Sequence, residues 1–363
     1  MPIIYLVAGA RPNFMKIAPI WRASRMHPGV VCRIIHTGQH YDLEMSGAFF
    51  DDLDLPMPDF NLEAGSGSHA VQTAKIMTAF EEICQREMPD WVVVVGDVNS
   101  TLACSIVAKK LLIRVAHVEA GLRSFDTTMP EEINRMVTDS ISDRFFVTEE
   151  SGERNLLAEG KPVERIHVVG NVMIDNLLHQ VGLLEQEDNG RFPTAALKRE
   201  CTPFCFLTLH RPSNVDERDT FEGIAAALNE IAAEQPILFP VHPRTSKMMA
   251  QFDIRLSTRI HLLPPLGFRE SLFLWKDADV VLTDSGGLQE ETTAMHVPCV
   301  TIRENTERPV TVSMGSNILA GIRQDSIVEA YRSARQRGKS GTVPPYWDGK
   351  AAERIWDVLL KVH

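Results

Sequence analysis

Short β-branched and aromatic runs alternate with longer stretches of helical period along this chain. The segments IIYLVAG (3–9), VCRIIHTG (31–38), WVVVVGD (91–97), RVAHVEAG (114–121), RFFVTE (144–149) and IHVVGN (166–171) read as strands. Amphipathic stretches such as 69–88 and 100–112 lie between them. Near-continuous apolar strands separated by helices predict a parallel sheet covered on both faces. A second series then begins, with FCFLTLH (204–210), PILFPVH (236–242), RIHLLPP (259–265), ADVVLTD (278–284) and PCVTI (298–302). The polar, unpatterned stretch 184–203 separates the two series. The pattern predicts an α/β chain of two doubly wound, Rossmann-like domains facing a cleft. Residues 1–172 form the first and 173–348 the second, and a C-terminal helix over 349–363 has a docking site that the pattern leaves open.

Composition narrows the classes. A chain of 363 residues with 44% hydrophobic and 23% charged positions suits two ordinary domains with real cores. The net charge of −11, with acids and bases interleaved, argues against a nucleic-acid partner. It does not exclude an anionic small substrate, which a few arginines and helix N-termini can hold. The six cysteines are scattered through apolar surroundings, and the single close pair, Cys201 and Cys205, has no second cluster with which to bind zinc. Reduced, buried thiols are expected. The chain opens directly on an apolar strand, without a signal-peptide pattern, and no apolar run reaches 18 residues. A cytoplasmic protein without a membrane partner is expected.

In open α/β sheets, ligands bind beyond the carboxyl ends of the strands, and the polar residues collect there. The first strand runs into GARPNFMK, which places Arg11 and Lys16 at a loop and helix start. WVVVVGD ends on Asp97, with Asn99 and Ser100 as expected helix caps, and RVAHVEAG ends on Glu119. Four carboxylates, Glu119, Asp126, Glu131 and Glu132, crowd the stretch 117–135. Glu132 reads as a charge favourable to a helix start and Asp126 as loop structure. FCFLTLH ends on His210, and His242 closes a further strand. After ADVVLTD comes SGGLQEE, whose glycines and first helical amides make a phosphate cradle at Ser285, Gly286 and Gly287. Neither a G-x-G-x-x-G fingerprint nor a Walker loop is present, so neither a dinucleotide cofactor nor a nucleoside triphosphate site is supported. The GSGS at 65–68 reads as flexible loop. Carboxylates on one domain and an anion cradle on the other suit proton abstraction with loss of a phosphate.

The ordered set GARPNFMKIAPI, TGQHYD, GDVNSTLA, HVEAGLRSFD, MPEEINR, GNVMID, VHPRT, DSGGLQEE and TERP resembles the non-hydrolysing UDP-N-acetylglucosamine 2-epimerases. That resemblance implies a GT-B glycosyltransferase-like fold and interconversion of UDP-GlcNAc and UDP-ManNAc, feeding cell-surface polysaccharide synthesis. It implies no NAD and no obligatory metal. UDP is eliminated to a 2-acetamidoglucal and added back with C2 inverted, so C2–H needs one positioned base and an acid on the opposite face. By matching motif, Asp97, Glu119 and Glu131 form the acid/base set, and His210 is a catalytic partner near the leaving group. Arg11, Lys16, Ser285, Gly286, Gly287, Glu291 and Arg308 take nucleotide-binding positions, with Glu291 on the ribose hydroxyls and Arg308 on the diphosphate. Members are commonly homodimers.

Several positions depart from the family pattern. Asn13 replaces a Glu, and the stretches Arg211-Pro212-Ser213 and Gln39-His40-Tyr41-Asp42 differ from motifs that bind a second, regulatory UDP-GlcNAc. Ser271 replaces an aromatic residue of the uracil pocket. HTGQHYD and its neighbours also resemble relatives acting on UDP-2,3-diacetamido-2,3-dideoxyglucuronic acid. Other readings are a hydrolysing epimerase that releases ManNAc and UDP, and a GT-B glycosyltransferase.

Overall fold

The computed structural model describes residues 1–38, 50, 53–187 and 189–361. Gln39, His40, Tyr41 and Asp42 lie outside the described residues. The chain divides into two compact units: residues 1–176 with 345–363, and residues 177–344.

The first unit is built on seven parallel strands: β1 (Ile3–Ala8), β2 (Val31–His36), β3 (Phe60–Asn61), β4 (Trp91–Val95), β5 (Arg114–Val118), β6 (Arg144–Val147) and β7 (Ile166–Val168). Their spatial order is β3-β2-β1-β4-β5-β6-β7. The run WVVVV of β4 is buried at every position because helices cover both faces of the sheet. Chain order reverses between β1 and β4, which pair in register from Ile4 with Trp91 to Val7 with Val94. The carboxyl ends of these two strands form the switch point at which such sheets bind ligands. Arg11 and Lys16, in the helix Arg11–Ser24, and Asp97 all follow them directly.

The final helix, Ala351–Lys361, docks on this unit. Its Trp356 is fully buried in the core shared with Phe14 and Ile17, and its indole N–H donates to the Ile20 carbonyl at 2.7 Å. Asp175 accepts from the first amides of this helix, Ala351 N–H at 3.1 Å and Ala352 N–H at 2.7 Å. Residues 345–348, expected in the second domain, also belong here. The indole of Trp347 donates to the Thr148 carbonyl at 3.1 Å, a contact across 199 positions that periodicity does not reveal.

The second unit repeats the plan with β8 (Cys205–Thr208), β9 (Ile237–Pro240), β10 (Ile260–Leu263), β11 (Val280–Thr283), β12 (Cys299–Thr301) and β13 (Asn317–Leu319). Their order is β10-β9-β8-β11-β12-β13, again parallel. Here the switch point lies between β8 and β11, the strands followed by His210 and by Ser285. No described helix is long and apolar enough to cross a membrane.

Candidate active site

At the switch point of the first unit, the helix Arg11–Ser24 brings Lys16 against the end of β5. Lys16 Nζ lies 2.6 Å from Glu119 Oε2, and both side chains are largely buried. Glu119 adopts a left-handed backbone at φ 67°. Gly96, also at φ 67°, lies under this pair: a methyl there would meet Lys16 Nζ at 2.9 Å. Glycine is therefore favoured by conformation, and a side chain there would also push the ammonium away from its place. Asn13 is buried and joins the same turn. Its carbonyl accepts from the Gly9 and Ala10 amides at 3.3 and 3.0 Å, and its NH2 donates to the Val95 carbonyl at 3.3 Å. An ionised Glu could not make that donation.

Asp97 is paired with the Arg135 guanidinium, which also contacts Glu132 Oε2 at 2.8 Å. Asn134 donates to the Asp97 carbonyl at 2.8 Å. The helix Pro130–Ile141 thus fastens the Asp97 turn through two consecutive residues. Glu132 is more than a dipole charge. It is buried and accepts from Ser124 N–H at 3.0 Å and Phe125 N–H at 3.1 Å, so it anchors the loop before the helix. Burial alone would raise its pKa, but the backbone donors and Arg135 outweigh that and hold it below the ordinary carboxylate value. Glu131, one residue earlier, is exposed in the first helical turn. Asp126 closes a local turn with Thr128, accepting from its amide at 3.0 Å and its hydroxyl at 2.6 Å.

Asn99 and Ser100 do not cap the helix Asn99–Lys110, whose N-cap is Val98. Both side chains point instead into tertiary contacts that compete with capping. Asn99 donates to Gln72 at 2.7 Å, and the Ser100 hydroxyl lies 2.7 Å from that of Thr37. The GSGS loop ends on Ser68, which is itself the N-cap of the helix His69–Arg86.

In the second unit, His210 Nδ1 lies 2.9 Å from Asp284 Oδ1. Asp284 is fully buried at the end of β11, and its other oxygen accepts the His210 and Arg211 amides at 2.9 and 2.8 Å. Burial would raise its pKa, yet His210 and these amides hold it below the usual range. His242 caps the helix Pro243–Phe252 by accepting from Arg244 N–H at 3.2 Å, and its ring lies 5.7 Å from that of His210. Burial first, then the neighbouring His210 and Arg244, lower its pKa.

Ser285 is the N-cap of the helix Gly286–Ala294, yet its side chain makes no capping hydrogen bond. A methyl built on Gly286 or Gly287 would meet no protein atom within 4 Å. Packing of the chain therefore does not demand glycine there, and the space beside these two residues at the helix start is open. Glu291 is buried in the next turn, where burial and then the charge of Glu290 push its carboxyl up to about 8. Arg308 Nε lies 2.8 Å from Glu290, so a carboxylate already orients the guanidinium expected to face a diphosphate. Ser271 lies in the helix Phe268–Trp275.

The structure thus brings Lys16 to Glu119 and His210 to Asp284, and sets Ser285, Gly286 and Gly287 at one helix start. Arg11 is exposed beside the first switch point. Sequence reasoning missed Arg135, Asn134, Asp284 and Glu290, which contact the expected residues. Arg135 was legible three residues after Glu132, the spacing of neighbours on one helix face. Asp284 stood in the DSGG motif at a strand end. Among the described residues, no three His, Cys, Asp or Glu side chains form a group that could hold a metal ion.

Two parallel α/β units, one with the Lys16–Glu119 pair and Asp97 at its switch point and the other with the His210–Asp284 pair and a Ser-Gly-Gly helix start at its own, have the architecture of GT-B enzymes. The UDP-N-acetylglucosamine 2-epimerase family model matches residues 22–360. The UDP-N-acetylglucosamine 2-epimerase of Methanocaldococcus jannaschii is 42% identical over 362 residues, 98% of each chain. Its crystal structure in complex with UDP-GlcNAc and UDP superposes with a TM-score of 0.86, covering 99% of this chain and all of that one at 41% identity. The UDP-2,3-diacetamido-2,3-dideoxy-D-glucuronate 2-epimerase of Pseudomonas aeruginosa is 36% identical over 99% of both chains. A lipopolysaccharide outer core galactosyltransferase, 12% identical with a TM-score of 0.58 over 99% of both chains, shares the fold alone. The chain belongs to the UDP-N-acetylglucosamine 2-epimerase family.

Proposed function

We propose that this protein interconverts UDP-GlcNAc and UDP-ManNAc. The observation that carries the reading is the distribution of chemistry over the two switch points: Asp97 and Glu119 with Lys16 at one, and His210 with the open Ser285–Gly287 turn at the other. A carboxylate of the set Asp97, Glu119 and Glu131 takes the proton from C2. The C2–H electron pair forms the C1–C2 double bond, and the C1–O bond breaks, its pair leaving with UDP. Return of UDP to C1, with protonation of C2 from the other face, gives the epimer. His210, Arg11 and Arg308 and the amides after Ser285 meet the charge that grows on the diphosphate. Glu291 receives the ribose hydroxyls. Substituting Asp97→Asn or Glu131→Gln abolishes epimerisation while calorimetry still registers UDP binding; wild-type turnover in either variant removes that residue from the set.

The 36% identical Pseudomonas relative supports a second reading, the same chemistry on UDP-2,3-diacetamido-2,3-dideoxyglucuronic acid. The enzyme works as a homodimer in the cytoplasm. The six unpaired cysteines fit a reducing compartment. The exposed Ile133 and Met136 on the helix Pro130–Ile141 fit a covered surface, and analytical ultracentrifugation tests the assembly.

A further inference from the structure

His117 lies in β5, two residues before Glu119, and is fully buried. Its Nε2 is 2.8 Å from the carbonyl of Gly96, the residue immediately before Asp97. Its Nδ1 is 2.6 Å from Asp139 Oδ1, equally buried in the helix Pro130–Ile141. The second oxygen of Asp139 accepts Gly121 N–H at 3.0 Å and pairs with Arg123 at 2.8 Å. Gly96 N–H in turn donates to the Val118 carbonyl at 3.1 Å. One buried imidazole therefore ties together the turns that carry Asp97 and Glu119, and its carboxylate partner holds the backbone two residues beyond Glu119.

The stability of the sheet does not by itself call for a buried polar pair at this place. Buried pairs are often replaceable by apolar residues of similar volume at little loss. An apolar side chain, however, could not donate to the Gly96 carbonyl. Gly96 and Glu119 both sit at φ 67°, and for Glu119 that conformation persists only where the surroundings enforce it. Backbone bonds on both sides of each turn supply that enforcement.

We infer that His117, held by Asp139, is a positioning residue of the epimerisation: it fixes the Asp97 and Glu119 turns to one another so that both carboxylates meet C2 from set positions. This rests on the proposed roles of Asp97 and Glu119. The test compares His117→Gln, whose amide nitrogen reaches the place of Nε2 and keeps the bond to Gly96, with His117→Asn, whose amide reaches only the place of Nδ1. For each, kcat, KM, UDP affinity and deuterium wash-in at C2 of UDP-GlcNAc in heavy water are measured, with melting temperature as the control for folding. His117→Asn should lose about 100-fold in kcat and in wash-in, the scale of a displacement of about 1 Å at reacting groups. KM and UDP affinity should stay within about threefold, and His117→Gln should keep most of the rate. Asp139→Asn, which also unfastens the Gly121 amide and Arg123 beyond Glu119, is an independent variant expected to lower kcat without a comparable change in KM.

Equal rates in the Gln and Asn variants, or a loss confined to KM and UDP affinity, would overturn the inference. So would Asp139→Asn that folds and turns over at the wild-type rate. A wild-type protein that puts no deuterium into C2 of either UDP-GlcNAc or the diacetamido-uronate overturns the functional reading itself, and the inference with it.

Discussion

Replacing Glu291 by Gln isolates one buried carboxyl whose energetics can be worked from its surroundings. Burial, and secondarily the charge of Glu290, displace its pKa from 4.5 to about 8. In the unfolded chain the same group ionises at its ordinary value. Between those two pH values, the unfolded chain has given up a proton that the folded chain still holds, so a rise in pH favours unfolding. The contribution to stability is therefore complete below about 4.5, declines as pH rises towards 8, and is lost above it. At about 1.4 kcal/mol per pH unit, the displacement sets a ceiling of about 5 kcal/mol. Water entry and rearrangement around the ionised form reduce this, and about 2 kcal/mol is expected to survive. Glu291→Gln is neutral throughout and nearly the same shape. Scanning calorimetry at pH 5 and pH 9 should show the variant gaining about 5 °C on the wild type between the two, at roughly 2–4 °C per kcal/mol. Melting curves that stay parallel within about 1 °C would refute the reasoning. If the carboxylate receives the ribose hydroxyls, UDP should also bind the variant about tenfold more weakly at pH 9, the loss of one or two charged hydrogen bonds.

Asp284→Asn removes the carboxylate that holds His210 Nδ1 at 2.9 Å, and steady-state kinetics should show kcat falling by at least about 100-fold. UDP binding, measured by calorimetry, should change far less. Gly96→Ala forces a methyl to 2.9 Å from Lys16 Nζ at a backbone angle that L residues avoid. It should lower the melting temperature and weaken the Lys16–Glu119 pair, with a loss of about 2 kcal/mol in chemical unfolding.

Where the signal was local, the fold was legible. The alternation of apolar strands with helices marked the principal strands of both parallel sheets, because strands buried on both faces leave a run such as WVVVV. Strand-end position also pointed to Asp97, Glu119, His210 and the turn after Asp284. The contacts that join those residues were not legible. Arg135 meets Asp97, and Asp139 meets His117, only because a helix crosses back over the ends of β4 and β5, and period alone does not give that crossing. Asn99 and Ser100 look like caps by residue type, yet tertiary partners drew their side chains away. The return of residues 345–363 to the first unit depends on long-range contacts made by Asp175, Trp347 and Trp356. Two-residue and three-residue strands such as β3 and β13 are too short to show a period.

The central claim, that the protein moves a proton at C2 while UDP leaves and returns, is tested most directly by proton NMR of the wild type with UDP-GlcNAc in heavy water, without added NAD or sugar acceptor. The account predicts growth of UDP-ManNAc resonances, with the C2 proton replaced by deuterium in both epimers. Free ManNAc with UDP as the sole products, or a UDP-GlcNAc spectrum unchanged while calorimetry registers UDP binding, would contradict it.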